Sequence, residues 1–179
     1  MYQKGRCTYL MIGIICVVIA IAIVILLSFS VRQKEYVVGT DIAAEDITEF
    51  YYTYSSSTYP PEYQRYRFYK EKEEYKFFHE KREGYDWPLT EAHIKLSDSI
   101  ELSEKEWTEF LNYLNGGKVK ERNQSFEAGR SGPWLYLYWE GDRAKYQEFS
   151  FPTLHEEKAF ENFCAELVKL NREQSEKCF

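Results

Sequence analysis

The feature that most constrains this chain is a run of 20 residues, Leu10 to Phe29, without one charged side chain. At 1.5 Å of rise per residue, a helix of that length reaches ~30 Å, the hydrocarbon thickness of a bilayer. A helix packed on a soluble core keeps a polar stripe, and this run has none on any face. Its many isoleucines and valines disfavour helix in water, but lipid leaves an isolated segment no other way to satisfy its backbone. The apolar core of a signal peptide is shorter, ~7–15 residues. Although Ser28-Phe29-Ser30 offers a small-x-small cleavage pattern, the expectation is therefore an uncleaved single-pass anchor over residues 9–31, preceded by a short tail, residues 1–8. Ile15 stands before Cys16, where a lipid-modified cysteine follows a small residue, so a lipoprotein anchor is disfavoured. Lys4 and Arg6 precede the run, and Arg32 and Lys34 follow it. With so short a tail, the N-terminus is expected in the cytoplasm and the C-terminal part outside the cell membrane.

Beyond the anchor, residues 32–46 lack a sustained period and read as a stalk. Residues 47–172 form one small domain, and residues 173–179 a C-terminal tail. The chain holds 23 Lys and Arg, of which four precede Glu35, against 29 Asp and Glu, none of which does. The part after residue 34 therefore carries a formal charge of −10. Such an acidic domain is repelled by nucleic-acid phosphate and by anionic lipid surfaces. Nucleic acid is excluded as a partner.

Periodicity predicts an α+β domain of order β-β-β-β-α-β-β-α. Ile47 to Ser55 alternates, as a half-buried strand does. Prolines 60 and 61 break it, and strands are expected over residues 63–70, 75–80 and 92–97. Ser103-Glu104-Lys105-Glu106 is a capping box, with Trp107, Phe110, Leu111 and Leu114 on one helical stripe behind it. Gly116-Gly117 ends that helix. Residues 118–133 read as a polar loop, WLYLYW at 134–139 as a strand, and 144–151 as its return. Thr153-Leu154-His155-Glu156 is a second capping box, opening a helix whose stripe is Phe160, Phe163, Cys164, Leu167 and Leu170. An antiparallel sheet with both helices on one face follows. Because the core is expected to lie beyond the stalk, a fragment starting near Ala43 should be soluble, monomeric and cooperatively folded.

No catalytic, metal or cofactor signature survives inspection. His155-Glu156-Glu157-Lys158-Ala159 begins like the metalloprotease HExxH, but alanine stands where the second ligand belongs. Gly129-Arg130-Ser131-Gly132-Pro133 lacks the final glycine and the strand-turn-helix setting of a nucleophile elbow. His79 and His93 fall on predicted strands with no nucleophile tied to them. Asn123-Gln124-Ser125 is a sequon that matters only in a glycosylating pathway. Cys164 and Cys178 could close a loop of 15 residues, worth ~3 kcal/mol on a chain-entropy estimate.

The aromatics remain: 16 Tyr, 12 Phe and 4 Trp, nearly all in the domain. In WLYLYW, Leu135, Leu137 and Trp139 share one face, the better candidate for the helix-covered core. Trp134, Tyr136 and Tyr138 share the other and, joined by Tyr69 and Tyr51, make a candidate binding surface. The opposing explanation is that tyrosine suits strands wherever they lie. The expected function is a membrane-tethered, extracytoplasmic interaction or sensing domain without enzymatic activity or cofactor, its partner an envelope protein or a glycan. The alternative is a cell-envelope hydrolase or transferase working through carboxylates.

The last third, with Tyr136 to Glu140, Gly141-Asp142, Tyr146 to Phe151, Pro152 and the helix around Phe160 to Leu167, resembles a group of small uncharacterised bacterial proteins. Those carry a membrane or lipid anchor followed by an α+β domain ending in strand, Gly-Asp or Asp-Gly turn, strand, Phe-Pro and helix. The resemblance implies an architecture and no activity.

Overall fold

The alternation read from residue 47 onward builds four strands that pair in chain order: β1 (Ile47–Ser56), β2 (Glu62–Glu71), β3 (Glu74–Glu83) and β4 (Ile94–Leu102). They form an antiparallel meander. The computed structural model describes residues 35–122, 133–139 and 148–177, with side chains to residue 170, and Ile15, Val17, Ile19 and Ile21 of the N-terminal segment. Contacts divide the chain into two units, Met1–Lys34 and Glu35–Phe179. In the first, the four described residues are helical and each is more than half exposed. Most of the expected anchor lies outside the described residues, among which no helix is long and apolar enough to cross a membrane.

After β4 come helix α1 (Glu104–Leu114), β5 (Lys120–Glu121), β6 (Trp134–Trp139), β7 (Glu148–Ser150) and helix α2 (Leu154–Lys177). β6 returns to the second edge of β1, giving one seven-stranded sheet of order β4-β3-β2-β1-β6-β7-β5 with antiparallel neighbours. The fold is α+β, and ring contacts place both helices on the same face. Phe110 of α1 stacks on Phe68 with ring centroids 4.0 Å apart and meets Phe50 at 5.6 Å. Phe160 of α2 lies 5.4 Å from Phe50, and Phe163 lies 6.1 Å from Phe68. Phe50 and Phe68 are cross-strand partners, so this aromatic layer is continuous beneath the two helices. Full burial of each such side chain stabilises by ~1.5–3 kcal/mol.

The helix starts are made as their sequences dictate. Ser103 Oγ accepts from the Glu106 N–H at 3.3 Å, while the Glu106 carboxylate accepts from the Ser103 N–H at 2.8 Å. Thr153 Oγ1 accepts from the Glu156 N–H at 3.2 Å. Positive φ at Gly116 and Gly117 turns the chain away after α1.

Four readings are corrected. The strand expected over 92–97 begins later, because Thr90 and His93 close a 3-10 turn over Glu91–His93, with His93 Nδ1 accepting from the Thr90 N–H at 3.0 Å. It then runs on to Leu102. Leu170, assigned to the buried stripe of α2, is 50% exposed, since that helix continues past its last core contacts at Leu167 and Val168. The loop over 118–133 contains the unforeseen β5.

The largest correction concerns the stalk. Val38, Ile42 and Ala44 are buried core residues. The Val38 N–H donates to the Val119 carbonyl at 3.0 Å, Gly117 N–H to the Val38 carbonyl at 2.9 Å, and Glu121 N–H to the Tyr36 carbonyl at 2.7 Å. Gly39 is required here: φ is +88°, and a Cβ would sit 2.6 Å from the Gly116 nitrogen. Residues 36–46 thus belong to the folded unit, and a fragment starting at Ala43 lacks part of its core.

Candidate functional site

The register brings all five aromatic candidates onto one face. Tyr51 of β1 stands opposite Arg67 of β2 and Tyr136 of β6; Glu49 stands opposite Tyr69 and Tyr138, and Thr53 opposite Trp134. On β6, Leu135, Leu137 and Trp139 are buried against the helices, whereas Trp134, Tyr136 and Tyr138 are half-buried on the helix-free side. Tyr51 and Tyr138 meet edge to face at 6.3 Å.

This face is already bonded to itself. The Arg67 guanidinium lies 4.1 Å from the Tyr69 ring centroid and 5.3 Å from that of Tyr51, while pairing with the Glu49 carboxylate. The Tyr51 hydroxyl donates to the same carboxylate at 2.7 Å. Burial first, and then that bond to Glu49, push the Tyr51 hydroxyl up to about 12. At the far side Arg122, which no sequence signal marked, lies 5.3 Å from the Trp134 ring centroid and binds the Glu148 carboxylate at 2.6 Å. What the face offers outward is planar surface, rings and guanidinium, with Tyr51 and Arg67 held by Glu49.

A more open arrangement lies at one end of the sheet. A cleft of about 620 Å³ is formed there by Tyr54 and Tyr63 from the strands and Pro60, Pro61 and Tyr85 from the loops. Its polar lining includes Glu62, Gln64, Lys81, Glu83 and Lys95. Arg82 fixes the β3–β4 loop to the sheet, donating to the Glu80 carboxylate at 2.7 Å and to the Leu89 carbonyl at 3.1 Å, with its guanidinium 4.4 Å from the Tyr63 ring centroid. On these loops stand the most exposed aromatics among the described residues: Tyr59 at 73%, Tyr85 at 77% and Trp87 at 51%. The first two rings lie 6.3 Å apart. Sequence reasoning overlooked them because it sought aromatics by strand period. The available signal was an aromatic beside proline in a loop, Tyr59-Pro60 and Trp87-Pro88, where alternation cannot carry the ring into a core.

Glu62 and Glu83 face one another across β2 and β3, and both line the cleft. The Glu83 carboxyl is held below the usual carboxylate range by its hydrogen bond to Lys81, 2.6 Å away. Among the described residues the carboxyl that is raised, by burial and then by the charge of Glu161, is Glu157 on α2. Glu161 in turn accepts from the Tyr52 hydroxyl, and burial followed by that bond drives Tyr52 far above the ordinary phenol range.

The remaining candidates are separate. His79 is buried on the helix-covered face, its ring stacked on Phe77 at 5.9 Å, while His93 serves the turn before β4. Glu156 caps α2, and no cluster of His, Cys, Asp and Glu able to hold a metal is present among the described residues. Cys164 is a buried free thiol, its pKa raised by burial. Cys178, the other half of the possible bridge, lies outside the described residues. The sequon at Asn123, the segment 129–132 and the turn at 141–142 also lie outside the described residues.

These features define a seven-stranded antiparallel α+β domain with an aromatic-flanked cleft at one end of its sheet. No family model matches the chain, and no curated protein or solved structure matches it either.

Proposed function

We propose that this chain is a single-pass membrane protein held by residues 9–31, with its α+β domain on the extracytoplasmic side, and that the domain binds its ligand rather than transforming it. The proposed site is the cleft at the strand ends, and the proposed ligand class is a saccharide of the cell envelope. The observation that carries this reading is the exposure of Tyr85 in the cleft wall and of Tyr59 against its ring, beside a lining that mixes acceptors, Glu62 and Glu83, with donors, Lys81 and Lys95. A pyranose has the matching chemistry: a flat C–H face that stacks on a ring, and a rim of hydroxyls that each donate and accept. A carboxyl acting as general acid has its pKa raised. Glu83 is shifted the other way by Lys81, and both cleft carboxylates are exposed, which supports binding over carboxylate-based hydrolysis or transfer. The helix-free face, where Glu49 already holds Arg67 and Tyr51, is the secondary surface.

The test is retention of the detergent-solubilised full-length protein on purified cell-wall polysaccharide. Wild type is expected to be retained, and Tyr59→Ala/Tyr85→Ala to be released with an unchanged melting temperature. Equal retention of the two refutes the site, and retention of neither refutes the ligand class. Orientation is read separately by a membrane-impermeant thiol reagent on intact cells. Ser57→Cys, in an exposed loop, should label beyond the wild-type level. Protection until lysis places the domain inside.

A further inference from the structure

We infer that the β4 edge of the sheet is a docking surface for a second copy of this chain, joined by antiparallel pairing about a two-fold axis through Asp98. β4 is a terminal strand of the sheet, and among the described residues no strand pairs with its outer edge. It is long for an edge, and Ser97, Asp98 and Ser99 are exposed at its middle. An open edge presents unpaired backbone donors and acceptors, a template for another strand.

The sequence of this edge is self-complementary. Antiparallel pairing centred on Asp98 sets Lys95 opposite Glu101, Leu96 opposite Ile100 and Ser97 opposite Ser99, each pair occurring twice. Opposite charges, apolar pairs and hydroxyl pairs are the cross-strand combinations that stabilise sheets. Parity agrees for the apolar pair. Leu96 and Ile100 face the helix-covered side, opposite Lys81 and Phe77 on β3, and Glu101, opposite Lys76, faces the other side. Shifting the register by one residue sets Lys95 against Ile100 and loses every match. Two features oppose the pairing: Lys95 sits at the register shift between Lys81 and Arg82, and Asp98 meets its own copy at the axis. Asp98 Oδ1 accepts from the Ser99 N–H at 2.8 Å, which keeps part of its charge turned along its own strand. The association is therefore weak in solution, and confinement to a membrane raises its effective concentration.

The register makes sharp demands on the full-length protein in detergent or nanodiscs. Lys95→Glu and Glu101→Lys each convert two attractive pairs into two repulsive ones and should weaken dimerisation about tenfold or more by analytical ultracentrifugation. The double variant Lys95→Glu/Glu101→Lys should restore it. Asp98→Asn should tighten it several-fold. In a chain with Cys7, Cys16 and Cys178 replaced by serine, Asp98→Cys should crosslink to itself under mild oxidation, since facing Cα atoms lie ~4.5–5.5 Å apart. Glu101→Cys should not, its copy being ~20 Å away along the strands. All variants must keep the wild-type melting temperature, which separates lost pairing from lost folding. A monomeric wild type whose Asp98→Cys variant does not crosslink overturns the inference. So does a dimer that both single charge reversals leave intact, because its contact then lies elsewhere. Loss of polysaccharide binding in monomeric variants bears on the cleft and not on this pairing.

Discussion

Phe68 and Tyr69 are neighbours on β2 pointing to opposite faces, and truncating each tests the layer assignment within one residue of backbone. Phe68 is fully buried, with the rings of Phe110, Phe77, Phe160 and Phe163 at 4.0, 4.7, 6.0 and 6.1 Å. Rings from both helices and from β3 close on it, so the space left by Phe68→Ala cannot collapse without moving three elements. The loss should sit within the ~3–5 kcal/mol range for buried aromatics. Against ~5–15 kcal/mol of total stability and ~2–4 °C per kcal/mol at this size, the melting temperature should fall by ~10–15 °C. Tyr69 makes a 3.4 Å hydroxyl contact to Ser99 and carries Arg67 over its ring, a half-exposed arrangement worth ~0.5–1 kcal/mol. Tyr69→Ala should therefore shift melting by only ~3 °C. Near-UV circular dichroism on the solubilised protein, repeated as urea titrations, supplies both numbers. If Phe68→Ala melts within ~3 °C of wild type, or Tyr69→Ala costs more than Phe68→Ala, the faces are assigned backwards.

A fragment beginning at Glu35 should melt cooperatively, while one beginning at Ala43 loses the buried Val38 and Ile42, at ~1.5–3 kcal/mol each, and should melt lower and bind an apolar dye; identical melts would return residues 36–42 to a stalk. Alkali should unfold the domain. Tyr51 is shifted from 10.0 to about 12 in the folded state, and Tyr52 and Tyr66 are raised further. With folded values above the unfolded ones, these groups contribute stability that is fully present below pH 10 and is lost as pH rises through 10 towards 12. The part of the tyrosinate absorbance that belongs to the buried tyrosines should appear in a cooperative step together with unfolding, at a higher pH in Tyr52→Phe, and a titration completed while the domain stays folded would contradict this.

Elements whose signal is local were legible. The faces of β6 followed from alternation, and both helix starts from capping boxes whose partners lie three residues apart. What failed was set by distance along the chain or by context. Val37, Val38 and Ile42 carry no period because their partners are Gly117, Val119 and Lys120, and a strand of two residues such as β5 leaves no pattern of its own. Leu170 keeps the helical stripe, but the period says nothing about where the surface beneath it ends. The aromatic face was foreseen as a set because parity is local. Its cation partners were not, since Arg67 and Arg122 reach their rings through strand register and loop geometry. The cleft was missed because it is assembled from two loops whose proximity depends on pairing β2 with β3.

The place of β1 at the middle of the sheet has a consequence for how the chain is made. During synthesis β2, β3 and β4 emerge directly after β1 and can close one of its sides at once, by short-range turns. The other side must wait for β6, since Thr53 pairs with Trp134 and Ile47 with Trp139. Such long-range closure is slow, and a waiting strand edge is an invitation to the wrong partner. Until residues 134–139 leave the ribosome, the central strand of the finished domain is an edge strand. That interval, rather than the folded state, is when this chain is most exposed to misassembly.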